Sequence, residues 1–149
     1  MAVAAGKIKN VIEALAGAQI VVASSPTYRA TYTGLLKTFF DLLPQDCLIG
    51  KIGVPILTGG GPWHQLALDH GFRPLFASLG ATVVNGAYGY DAQFKNGPEA
   101  ALLAKIDEMV EDALVLARTI AESKTGAGSV TDIPQSAIRN PQSSRTGAK

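Results

Sequence analysis

Residues Ile20 to Phe40, IVVASSPTYRATYTGLLKTFF, decide the reading of the whole chain. A short β-branched run, Ile20, Val21 and Val22, stops at Ser24-Ser25-Pro26 and gives way to a polar, aromatic turn. An amphipathic helix then begins, with Leu35, Leu36, Phe39 and Phe40 on one side. Strand, loop and helix in this order form half of a βαβ unit, and the loop lies at the carboxyl end of the strand, where open α/β sheets bind their ligands. Residues Pro26 to Thr33 are therefore the expected site loop.

Outward from this stretch, the same alternation continues. Before it, Ile8, Val11, Ile12 and Leu15 recur at helical spacing, and Gly17 is a suitable left-handed C-cap. After it, the helix from about Thr33 to Leu43 ends at Pro44, because the residue before a proline is pushed out of the helical region. Ile52 to Leu57 reads as a second buried strand, although Pro55 within it removes a ladder donor. Thr58-Gly59-Gly60-Gly61-Pro62 follows as a second loop of the site type.

Residues 64 to 79 place Leu68, Gly71, Phe72, Leu75, Phe76 and Leu79 on one helical face with Pro74 inside. Pro74 has no N–H for the carbonyl of His70 and its ring crowds that turn, so an irregularity is expected between His70 and Pro74. Gly80 closes this helix, and Thr82 to Tyr88 is expected to form a third strand. Pro98 suits a first helical position. The last helix then runs to about Ser123 with Leu102, Ile106, Met109, Val110, Ala113, Leu114, Ala117 and Ile120 facing inward. Residues 124 to 149, rich in Gly, Ser, Thr, Gln and Pro, are expected to be disordered.

Helix, strand, helix, strand, helix, strand, helix is the pattern of an α/β fold with a parallel sheet and helices on both faces. At 149 residues one domain is expected, over about residues 1 to 122, followed by the tail 123 to 149. A formal charge of +1 with scattered basic residues argues against nucleic acid or a membrane surface as a partner. No apolar run approaches the roughly 20 residues of a membrane span, and the N-terminus lacks a secretion pattern, so the expected location is cytoplasmic. One cysteine, Cys47, and two histidines, His64 and His70, without carboxylate or thiol partners at ligand spacing, offer no metal site.

Three stretches together resemble a known family. They are Ser25-Pro26-Thr27-Tyr28-Arg29-Ala30-Thr31-Tyr32-Thr33-Gly34-Leu35-Leu36-Lys37, then Gly50-Lys51 leading to Thr58-Gly59-Gly60, then Asp69-His70-Gly71-Phe72-Arg73-Pro74-Leu75. Over roughly residues 3 to 122 the chain is similar to the flavodoxin-like NAD(P)H-dependent FMN reductases, of the type that serves alkanesulfonate two-component systems. The resemblance implies a three-layer α/β/α fold, FMN with NADPH or NADH as cofactors, and hydride transfer from the nicotinamide to flavin N5. It also implies reduced flavin supplied to a monooxygenase, and a homo-oligomer, a tetramer, assembled around the helix that holds His70.

In that family the two loops hold the isoalloxazine ring, which places Pro26, Thr27, Tyr28, Arg29, Thr58, Gly59, Gly60 and Gly61 at the flavin. Such a ring needs flat surfaces and backbone donors, and glycines let the main chain approach it. The transfer depends on stacking and orientation more than on an acid or base, so no catalytic side chain is assigned. Other readings of single residues stay open. Tyr28 could rest on the sheet end, Arg29 could be solvated, Thr31 or Thr33 could cap a helix, and Trp63 could cover a nicotinamide or flavin, or seal a subunit contact.

The resemblance also has a gap. Members of the family begin with a strand, a phosphate-binding loop, a helix and a second strand that have no counterpart here, so Ile20 to Ala23 is expected to pair on one side only. An exposed strand edge favours association. The alternative function is therefore a catalytically incompetent flavodoxin-like fragment or an association module. Charge-assisted donors to a phosphate contribute roughly 1.5 to 3 kcal/mol each. The 149-residue chain should accordingly bind FMN more weakly than a longer relative; titration followed by flavin fluorescence checks this, and submicromolar binding contradicts it.

Overall fold

The structure is a computed structural model that describes residues 2 to 125. The first residues of the expected tail, through Thr125, lie in the last helix, and its expected disorder from residue 126 on falls outside the described residues. Helix α1, Ala2–Gly17, leads into strand β1, Ile20–Pro26, and helix α2, Gly34–Asp41. Strand β2, Ile52–Gly59, is followed by a short 3₁₀ turn, Pro62–His64, and a π-helical turn, Leu68–Phe72. Helix α3, Arg73–Ala77, strands β3, Thr82–Val83, and β4, Ala87–Tyr90, a 3₁₀ turn, Asp91–Phe94, and helix α4, Ala100–Thr125, complete the order.

β2 is the central strand. β1 lies parallel to it in a register that runs from Ile20 opposite Ile52 to Pro26 opposite Thr58. On its other side β2 meets β3 at Ile52 and Gly53 and β4 from Ile56 to Gly59, both parallel. The expected single strand Thr82 to Tyr88 is therefore two strands in series along one edge of β2. The break falls at Val84-Asn85-Gly86, where Gly86 presses on β2: a Cβ there would stand 2.5 Å from the Pro55 carbonyl oxygen. The same break explains how a buried proline fits mid-strand. The partner of β2 on this side changes between Gly53 and Ile56, so the missing N–H of Pro55 falls where the ladder is interrupted.

Helices cover both faces of the sheet, as expected for a three-layer α/β/α arrangement. One core joins Val21, Ala23, Phe40, Leu43, Leu48, Leu57, Phe72, Leu75 and Phe76, with Ile12 and Leu15 of α1 partly buried against it. The other sets Ile52, Val54, Val84 and Ala87 against Met109, Ala113 and Ala117 of α4. Three details depart from expectation. Val110 is exposed, because Leu102, Met109, Ala113 and Ala117 already fill the inward stripe of α4. Pro98 precedes α4 instead of opening it, since the first helical bonds run from Leu102 and Leu103 to the Glu99 carbonyl.

The third departure is Gly17, which ends α1 without entering the left-handed region. The Lys51 ammonium instead donates to the carbonyls of Ala16 and Ala18, each at 2.8 Å, supplying positive charge where the helix end is negative. Gly80, by contrast, closes its helix with a φ of +86°, as expected.

Among the described residues β1 pairs with β2 alone, which agrees with the expected one-sided pairing. Val22 is 59 % exposed beside this open edge, and an apolar groove of about 260 Å³ runs along it, walled by Val11, Leu15, Val21, Leu36 and Phe39. The close approach at Gly86 can be tested directly. Gly86→Ala should lower stability by about 1–3 kcal/mol, the usual cost of overpacking, read as a lower denaturant midpoint at unchanged slope.

Candidate functional site

The burial of β1 alternates through its full length, so Ser25 points inward and is 3 % exposed. The strand thus continues through Ser24-Ser25-Pro26, where the sequence suggested a stop. Ser25 Oγ accepts from the Thr33 N–H at 2.9 Å and donates to the Pro26 carbonyl at 2.8 Å, which ties the start of the site loop to its end. Thr33 in turn caps α2: its Oγ1 accepts from the Leu36 N–H at 3.3 Å. Of the two threonines weighed as caps, Thr33 has this role and Thr31 does not.

Within the loop, Tyr28 and Thr31 exchange both backbone bonds, at 2.9 and 3.3 Å, and so form a two-residue hairpin. Arg29 and Ala30 at its tip have φ of +52° and +64°. Positive φ at both tip positions suits the right-handed twist of a tight hairpin, but glycine or asparagine usually occupies them. Here a left-handed conformation costs each L-residue roughly 1–2 kcal/mol. Strain of this kind persists only where the surroundings hold it, and it gathers at ligand clamps and active sites.

The second loop stands directly beside the first. Pro26 lies opposite Thr58, and the Thr27 N–H donates to the Thr58 carbonyl at 2.6 Å, which carries the sheet pairing one residue past β1. Gly59 pairs with Tyr90 of β4. Tyr88 runs underneath, so close that a Cβ on Gly59 would collide with its hydroxyl. That hydroxyl donates to the Gly61 carbonyl at 2.6 Å. Burial and the nearby charge of Asp91 push the Tyr88 phenol above its usual range.

The eight expected residues fall into two groups. Pro26, Thr27, Thr58, Gly59, Gly60 and Gly61 meet at the carboxyl ends of β1 and β2. Tyr28 and Arg29 sit on the hairpin with exposed side chains, Tyr28 at 66 %. Gly60 is the open point of the cradle, since a Cβ there would meet nothing closer than Asp91 Oδ2 at 3.9 Å. Trp63, 80 % exposed, follows at the 3₁₀ turn. Sequence reasoning overlooked Ser25 and Tyr88. The alternation of β1 could have pointed to Ser25, whereas nothing local marks Tyr88 as the support of a loop 27 residues before it.

The irregular helix is where Pro74 placed it. The π turn Leu68–Phe72 carries a bond from the Arg73 N–H to the Leu68 carbonyl, one residue longer than an α-helical bond, and Pro74 follows within the first turn of α3. Arg73 anchors the junction by donating to the Val83 carbonyl at 3.0 Å and to Asp69 Oδ1 at 3.3 Å.

Residues 2–95 match the family model described as NADPH-dependent FMN reductase. An FMN reductase (NADPH) of Escherichia coli strain K12 is 38 % identical over 87 residues, covering 58 % of this chain and 46 % of the relative. Another FMN reductase (NADPH), from Pseudomonas putida, is 34 % identical over 111 residues, covering 72 % and 56 %. Among solved structures, an apo NADH:FMN oxidoreductase called EMOB superposes with a TM-score of 0.69 at 37 % identity, over 73 % of this chain and 59 % of that one. The chain spans about half the length of the curated relatives it matches. Because the match covers both loops, the π turn and more than half of the 149 residues, the chain belongs to the NADPH-dependent FMN reductase family.

Proposed function

We propose that this chain carries the isoalloxazine-binding part of an NAD(P)H:FMN oxidoreductase, built from Pro26, Thr27, Tyr28, Arg29, Thr58, Gly59, Gly60 and Gly61. One observation carries the reading. The loops that follow β1 and β2 stand side by side, joined by the bond from the Thr27 N–H to the Thr58 carbonyl, and Gly60, the middle residue of the glycine cradle, is open. A main-chain surface kept clear at the sheet end fits a site completed by a ligand with polar ring atoms. The family's cofactor has such atoms, and the residues present suit it.

Bound FMN would supply the two-electron acceptor for a hydride from the nicotinamide. The protein's own part is positional. The backbone of Gly59 to Gly61 receives the polar edge of the ring, Tyr88 keeps the second loop in shape, and the Tyr28 side chain is free to lie along a ring face. Arg29 at the hairpin tip offers a cation to an anionic group of either nucleotide. Two similar proteins named NADH-dependent FMN reductase SfnF and SfnE, from Pseudomonas, support a role in feeding reduced flavin to a monooxygenase, and either NADH or NADPH suits this reading.

A homo-oligomer, a tetramer formed around the π turn and His70, belongs to the same proposal, with exposed Trp63 and Leu66 beside that turn as apolar contact surface. None of the described helices is long and apolar enough to cross a membrane, and a cytoplasmic setting suits a nicotinamide-dependent enzyme.

Gly60→Val tests the cradle. Because the position is open, stability should stay within about 0.5 kcal/mol, as for other uncrowded surface changes, while quenching of FMN fluorescence on binding should weaken tenfold or more. Equal quenching in both proteins, or none in the unaltered chain, would overturn the reading. Tyr88→Phe should leave the Gly61 carbonyl without its donor and weaken FMN binding by about 1 kcal/mol, the net worth of a hydrogen bond, measured by the same titration.

A further inference from the structure

The π turn and the site hairpin meet at Gly71. A Cβ on Gly71 would lie 2.6 Å from Thr31 Oγ1 and 3.3 Å from the Tyr32 ring, so Thr31 occupies the space that any larger residue would need. Phe72, the next residue, is fully buried, with its ring 5.4 Å from that of Tyr32 and 6.0 Å from that of Phe76. The π turn therefore presents Phe72 to the core as an anchor and Gly71 to the hairpin as a flat seat.

The hairpin needs such a seat. Its feet are tied by the bond from Thr27 to Thr58 and by the Ser25 hydroxyl at Thr33, but Arg29 and Ala30 at its tip are both strained. A strained turn between two tied feet keeps its shape only if something blocks the relaxed alternatives. Tyr32 packed on Phe72 and Thr31 packed on Gly71 are the contacts in place to do so.

We propose that Gly71 is a positioning residue. Through its contact with Thr31 the π turn holds the Tyr28–Thr31 hairpin in the conformation that receives the flavin ring. The proposal rests on the flavin reading of that hairpin. It also gives the wide turn a specific role, because lengthening the helix by one residue at this point brings an unsubstituted Cα, instead of a side chain, against the loop.

A double-mutant cycle tests the contact, with the full chain as it exists. In an ordinary helix Gly→Ala is stabilising. Here Gly71→Ala should instead weaken FMN binding tenfold or more and speed amide hydrogen exchange at Tyr28 and Thr31, whose N–H groups close the hairpin, while the amides of β2 keep their protection. In a Thr31→Ala background, which removes the hydroxyl that the new methyl would strike, the same Gly71 substitution should weaken FMN binding less than threefold and leave hairpin exchange unchanged. Coupling of this size between contacting residues is the signature sought.

Hairpin exchange unaffected by Gly71→Ala, or the same loss in both backgrounds, would overturn the proposal. Failure of the unaltered chain to bind FMN would instead overturn the flavin reading, because exchange still reports on the contact. Should Gly71→Ala unfold, Thr31→Ile crowds the same space from the loop side and should release the hairpin without altering the helix; unchanged exchange there counts against the proposal.

Discussion

The parallel pairing of β1 with β2 is the constraint on which the site depends. With Ile20 opposite Ile52, the two strands end together, Pro26 opposite Thr58, and their loops emerge side by side. A slip of one residue would turn Val21 and Ala23 away from the core they share with Phe40, Phe72 and Phe76, so burial of these side chains holds the register. The site loops inherit their spacing from that register. The bond from Thr27 to the Thr58 carbonyl is its last rung.

Around this frame the local structure is set by close approach. Gly86 lies against the Pro55 carbonyl, Gly59 against the Tyr88 hydroxyl, and Gly71 against Thr31. Each contact joins two segments distant in sequence at a point where no Cβ fits. Gly60 differs from all three in having open space where its side chain would be. That difference separates the three glycines needed for packing from Gly60, whose backbone is left clear at the sheet end.

Much of this was legible from the residues. Apolar runs bounded by glycine and proline located β1, β2 and the helices, and Pro74 marked the irregular turn because a missing donor has only a few structural remedies. Legibility ended where partners lie far apart. Thr82 to Tyr88 looked like one strand, yet Gly86 pressing on Pro55 divides it in two. Gly17 looked like a left-handed cap, yet Lys51, 33 residues beyond Ala18, supplies the capping charge. Val110 fitted the inward stripe of α4 by spacing alone, but the stripe had already been filled by its neighbours.

The alternation of helices and strands, the two loops at strand ends and the break beside Pro74 are all written in the amino-acid order, since periodicity, turn chemistry and a missing N–H act within a few residues. Which residues complete the site is settled by packing alone. Tyr88 supports the second loop and Gly71 meets Thr31 across the fold, each through a contact whose partners are brought together by sheet register and core burial. Those forces act between segments, and no local pattern in either segment announces the other.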